Sequence, residues 1–110
     1  MQMNRIGTHK TSHYTDTKNV LRVVYHNTEV VKVKDSRYAI LNNGGWYTVT
    51  SKTRMNQASR EYHLGFVVYQ EDFNWYVKTD KDLAPYYNGI VIDTKEDKIS
   101  AELLEHPDIN

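Results

Sequence analysis

The stretch VLRVVYHNTEVVKVKDSRYAIL, residues 20–41, decides the fold class. Residues 20–26, 29–34 and 37–41 are short runs rich in β-branched and aromatic side chains, which suit a pleated, half-buried surface. Asn27-Thr28 and Asp35-Ser36 interrupt them, and two-residue polar breaks between such runs predict a meander of hairpins. Neither break is Asn-Gly or Asp-Gly, so the turn type stays open. Period-two alternation assigns Leu21, Val23, Tyr25, Val31, Val33, Tyr38 and Ile40 to one buried side. The opposite side then carries Arg22, His26, Lys32, Lys34 and Arg37.

Downstream, Asn42-Asn43-Gly44-Gly45 is a strong breaker, because Gly and Asn tolerate positive φ. It leads into residues 46–50, which read as a fourth strand. From residue 51 the period changes: Met55, Ala58 and Tyr62 fall three and four apart, predicting a short amphipathic helix near 51–62 with Ser51 as N-cap. Residues 66–70 and 75–78 form another hairpin around a four-residue turn, and Ile90 with Ile92 marks a last strand. Upstream, residues 1–19 are polar and aperiodic and read as a flexible arm. Residues 95–110 read as an acidic tail or short helix, leaving 20–94 as the single β-rich domain. The expected fold is mainly β (α+β), a small antiparallel sheet or open barrel of about six short strands with one helix.

The chain has 110 residues and no cysteine, which excludes a disulfide scaffold, a Cys-based zinc site and thiol catalysis. Fourteen Lys+Arg offset fourteen Asp+Glu, yet the zero net charge is a cancellation. Residues 1–60 hold ten cations and three acids, a net of +7, and residues 61–110 hold four and eleven, a net of −7. No run approaches the roughly 20 apolar residues that span a bilayer, and residues 1–18 lack the apolar stretch of a signal peptide. The expectation is a cytoplasmic protein without membrane contact.

Two features bear on function. The face carrying Arg22, Lys32, Lys34 and Arg37 lacks interspersed acids, as a polyanion-binding surface does. A solvated face that resists edge-to-edge aggregation carries the same residues. The second feature is the motif NNGGWYTVTSKTRMNQ, residues 42–57. Lys52 and Arg54 occupy the first turn of the predicted helix, where the macrodipole disfavours cations and favours anions. A phosphate there would receive backbone N–H groups, the Ser51 and Thr53 hydroxyls and both cationic heads. Solvation of Lys52 and Arg54, or bridges to the acidic half, is the competing account. Alternation within 46–50 puts Tyr47 and Val49 on the core side and exposes Trp46, as a base-stacking platform requires.

Other chemistry is discounted. His9 and His13 are four apart in the polar arm; Glu61 and His63 lack a nucleophile or further ligand; Asp80-x-Asp82 and Glu96-Asp97 lack the rest of a calcium loop. Nothing specifies an enzyme, a metal or a cofactor. The chain does resemble small proteins of tailed bacteriophages that have no assigned activity. The resemblance rests on Gly44-Gly45-Trp46, the segment from Thr48 to Gln57, Leu64-Gly65, Val68-Tyr69-Gln70 and Trp75-Tyr76-Val77. Tyr47 departs from the basic residue expected after the tryptophan. The likeness implies viral origin and carries no activity.

Three functions compete. The first is nucleic-acid binding through the basic sheet face and helix N-terminus. The second is a protein–protein effector that inhibits a host enzyme or defence system through the acidic half, with Asp80, Asp82, Asp93, Glu96 and Asp97 as its working residues. The third is self-assembly of oppositely charged parts into a homo-oligomer.

Overall fold

A strand needs a partner for its backbone before its side-chain pattern can matter. The computed structural model describes residues 10–99 and shows where those partners come from. β1 (Thr11–Thr15), β2 (Leu21–Tyr25), β3 (Thr28–Lys34) and β4 (Tyr38–Leu41) form an antiparallel meander. The chain then builds α1 (Val49–Glu61) and a second antiparallel sheet of β5 (Val67–Glu71), β6 (Asn74–Lys78) and β7 (Leu83–Pro85). β8 (Ile90–Asp93) and β9 (Lys98–Ile99) return to the first sheet, whose order is β1-β2-β3-β4-β8-β9. Among the described residues the fold is therefore mainly β with one helix, as the sequence predicts, and neither sheet closes into a barrel.

The core lies between the sheets and the helix. Leu21, Val23, Val31, Val33, Ala39, Leu41, Ile90 and Ile92 come from the first sheet, Met55 and Ala58 from α1, and Val68, Trp75 and Val77 from the second sheet. Each large apolar side chain removed from water contributes about 1.5–3 kcal/mol, so this cluster is the main source of stability.

Strict alternation holds for β2, breaks in β3, and holds in β4 with the opposite phase to the one expected. Val23 pairs with Val31 but Val24 pairs with Glu29, leaving Val30 as an extra residue, a β-bulge. Val30 and Val31 are both buried, and Glu29 turns onto the face that carries Arg22. In β4 the buried residues are Ala39 and Leu41, whereas Tyr38 and Ile40 pair with Lys34 and Lys32 on the outer face. The turn at 35–37, with Asp35 and Ser36 at positive φ, sets that register.

Several expected assignments are corrected. Thr11–Thr15, within the expected arm, is a strand, because β2 offers it a full antiparallel ladder from Thr11 opposite Tyr25 to Thr15 opposite Leu21. Asp16 closes the following turn by accepting from the backbone N–H of Lys18 and Val20. Residues 46–50 are not a strand. The Thr48 hydroxyl accepts the Ser51 N–H at 3.2 Å, which makes Thr48 and not Ser51 the N-cap and starts the helix at Val49. The β5–β6 turn has two residues, with Glu71 opposite Asn74. Asp72 and Phe73 both have positive φ, +51° and +69°, the mirror-image geometry that matches sheet twist. Left-handed backbone costs a residue with a Cβ roughly 1–2 kcal/mol, and asparagine or glycine is its usual occupant. The expected tail or short helix at 95–110 is corrected where it is described, because Lys98–Ile99 is strand β9 paired with β8; residues 100–110 lie outside the described residues.

One face of α1 completes the second sheet. The Asn56 side chain donates to Val68 O and accepts from Val68 N, both at 2.8 Å. Ser59 Oγ donates to Phe66 O at 2.7 Å and accepts from Phe66 N at 3.0 Å. Lys52 Nζ donates to Gln70 Oε1 at 2.9 Å. Helix positions 52, 56 and 59 thus meet alternate residues 70, 68 and 66, and the outer edge of β5 pairs with side chains in place of a strand.

Asn56→Ala is expected to destabilise the fold by about 1–3 kcal/mol, because it strips two partners from the Val68 backbone. Thr48→Ala should cost about 1 kcal/mol through loss of the cap. Denaturant unfolding followed by circular dichroism measures both. An Asn56→Ala midpoint equal to the parent's would contradict this account of the β5 edge.

Candidate functional site

The expected phosphate cradle does not assemble at the start of α1. Ser51 is buried, and its Oγ accepts from the Thr48 hydroxyl. Lys52 leans toward the second sheet, with Nζ bonded to Gln70 and 5.5 Å from the centre of the Trp75 ring. Arg54 leaves by the other side: it is buried, donates through Nε to Thr11 Oγ1 at 2.9 Å and to Gln57, and stands over Tyr25. Its place is structural, tying β1 to the helix. Thr53 is half-buried. The two cations at the heart of the motif therefore diverge.

The basic face is also more evenly charged than alternation predicts. Arg22 donates through Nε to Asp16 at 2.9 Å and through NH1 to Glu29, which the bulge at Val30 has delivered to that face. Arg37 makes a two-pronged contact with Asp93, at 2.8 and 2.7 Å, and lies over the Tyr38 ring. Lys32 is half-buried between Arg22 and Ile40 in the cross-strand register, and Lys34 is half-buried opposite Tyr38. Asp93 also accepts from the N–H groups of Lys95 and Glu96. The Arg37 guanidinium holds the Asp93 carboxyl below the ordinary carboxylate range, and Asp93 in turn raises Arg37. The Val20 N–H, with help from Arg22, lowers Asp16.

Trp46 is 66% exposed, as expected, but for a different reason. It follows the Gly44-Gly45 turn, where a Cβ on Gly44 would stand 2.5 Å from Thr28 Oγ1, and its N–H donates to Asn43 O. The ring borders a 360 Å³ hollow with Tyr25, His26, Asn27, Thr28 and Thr48. Tyr47 packs edge-on against Trp75 and Tyr86, at 5.0 and 6.0 Å between ring centres, and burial pushes the Tyr86 hydroxyl well above its usual value. Tyr47 and Val49, both expected inside, are 56% and 72% exposed. Among the other residues singled out, His13 bonds through Nδ1 to the Tyr62 hydroxyl at 2.7 Å, while Asp82 accepts from Leu83 N and Ile99 N. His9 lies outside the described residues.

A second surface was not singled out from sequence. The pairings Val67–Lys78–Leu83 and Tyr69–Tyr76–Pro85 put these six residues on the outer face of the second sheet. Val67 is 50% and Leu83 56% exposed, and the Tyr69 and Tyr76 rings stack at 5.5 Å. Glu71 shares this face by alternation, and Asp80 lines a hollow there with Val67, Tyr69 and Lys78. The signal was legible as period-two alternation in which the set opposite the core carries Val67, Tyr69 and Tyr76 beside Glu71, Asn74 and Lys78.

A carboxyl with a depressed native pKa adds stability above its unfolded value, about 3.9, and loses it as pH falls through the native value. The melting temperature is therefore expected to fall below about pH 4 as Asp93 and Asp16 protonate. Asp93→Asn should lower the melt at neutral pH and flatten part of that acid decline. Melting curves followed by circular dichroism across pH check both effects, and an unchanged acid slope in Asp93→Asn would remove the role assigned to Arg37 and Asp93.

No curated protein and no solved structure matches this chain. The family model described as Kyanoviridae Gp96 protein matches residues 1–93, which takes in the meander, the helix, the second sheet and β8. By that match the chain belongs to the Kyanoviridae Gp96 family, a family of phage proteins.

Proposed function

We propose that this phage protein is a binding protein that acts on another protein, of the host or of the phage, through the outer face of its second sheet. The observation that carries this reading is an outer face on which exposed Val67, Leu83 and Pro85 flank the half-buried, stacked rings of Tyr69 and Tyr76, drawn from three adjacent strands. A solvent-facing sheet normally alternates to polar residues, and contiguous apolar patches on a small monomer mark interaction sites. Tyrosine is enriched in such interfaces because it adds large contact area with little rotamer entropy to lose. The face belongs to the acidic part of the chain, with Glu71 and Asp80 beside it and Lys78 within it. Glu71 and Asp80 suit a partner surface with exposed lysine or arginine.

Nucleic-acid binding is the second reading, supported by the exposed Trp46 ring beside His26. It ranks lower because Arg22 and Arg37 are held in ion pairs and Arg54 is buried.

Affinity capture from phage-infected cells tests the choice. The double variant Val67→Lys, Leu83→Lys should recover a specifically bound protein at least about tenfold less well than the parent, the scale of a lost hot spot. Lys32→Ala should recover it unchanged. Capture that survives the double variant, together with a salt-sensitive gel shift of DNA or RNA lost in Trp46→Ala, would favour nucleic acid.

A further inference from the structure

We propose that this chain associates head to tail, with Phe73 of one copy seated in a cavity formed by Leu21, Val33, Tyr62 and Leu64 of the next. The contact is separate from the outer sheet face and does not rest on its role.

Phe73 is 93% exposed at the tip of the β5–β6 hairpin, so it contributes almost nothing to the core of its own chain. It also holds a φ of +69°, where a bulky side chain is strained and glycine is at ease. A strained, exposed aromatic is poorly explained by the stability of the monomer, and strain of this kind accumulates at functional positions. Glu71 and Asp72 flank it. Those carboxylates repel phosphate, which argues against insertion between bases or into an anionic bilayer.

The cavity supplies the complement. Its volume is about 220 Å³; Leu21, Val33, Tyr62 and Leu64 form apolar walls, and Thr15, Asn19 and Ser36 complete the lining. A cavity of roughly 150 Å³ with aliphatic walls accepts benzene, so this one has room for a phenyl ring.

Placement excludes an internal contact. Lys52, in the first turn of α1, meets Gln70 near the hairpin tip, whereas Ser59, near the helix end, meets Phe66 at the start of the hairpin. The cavity includes Tyr62, the C-cap of α1. The knob and the cavity therefore sit toward opposite ends of a 13-residue helix about 20 Å long. A contact between two different surfaces repeats from copy to copy and gives open chains or rings.

Sedimentation velocity of the full chain over a concentration series tests the proposal. The parent should form species larger than a monomer as concentration rises. Phe73→Gly, which relaxes the left-handed turn, should melt no lower than the parent and stay monomeric. Thr15→Trp, which fills the cavity mouth from an exposed strand position, should also stay monomeric. An equimolar mixture of the two should stop at a dimer, since only one intact knob and one open cavity remain to meet. The Val67→Lys, Leu83→Lys variant should associate like the parent. A parent that is monomeric at every concentration, a Phe73→Gly chain that associates like the parent, or a mixture that yields no dimer would overturn the proposal.

Discussion

Hydrogen bonds from α1 to the backbone of β5 set the position of everything built after the first four strands. An outer strand presents N–H and C=O groups that water, another strand or side chains must satisfy, and an uncovered edge invites aggregation. Here Asn56 serves both backbone groups of Val68, and Ser59 serves both of Phe66. These bonds fix where β5 lies against the helix, and β5 in turn places Trp75 and Val77 over the core. The same anchorage turns the alternate residues of β5 and β6 away from the core, which is how an apolar outer face and an exposed hairpin tip arise together.

Among the described residues, Arg22 and Arg37 are held in ion pairs. Asp16 and Glu29 neutralise Arg22 within the positive part of the sequence, and Arg37 with Asp93 joins the two parts across β4 and β8. Both arginines keep more than a quarter of their side-chain surface in water, so these pairs orient the turns and strands they join more than they stabilise the whole. Glu71 and Asp80 border the apolar face of the second sheet.

Alternation in 20–26 and the three-and-four spacing of Met55, Ala58 and Tyr62 were legible because they follow from local geometry alone. The bulge at Val30 was not, because an extra residue in a run of valines leaves no compositional trace, and its effect is to send Glu29 to the opposite face. Val49 and Thr50 favour strand by type, but the cap at Thr48 and the packing of Met55 and Ala58 outweigh that preference. Arg54 reads as a surface cation until β1 supplies Thr11 as a partner, a contact spanning 43 positions of sequence. The outer face of the second sheet is written in Val67, Tyr69 and Tyr76, but apolar residues on both sides of a strand do not tell which side is covered.

β4 and β8 are neighbours, and Gly89 N–H donates to Leu41 O at 2.8 Å, so residues 42–89 leave the first sheet and return to the same place. Topologically the helix and second sheet are an excursion whose two ends meet. The meander from β1 to β4 uses only contacts close in sequence, whereas joining β8 to β4 requires closing that long loop. Loop-closure entropy therefore favours pairing of the amino-terminal strands over the joining of β8 to β4 until the excursion is compact. An excursion with adjoining ends can also change in length or sequence without shifting the register of the strands that hold it.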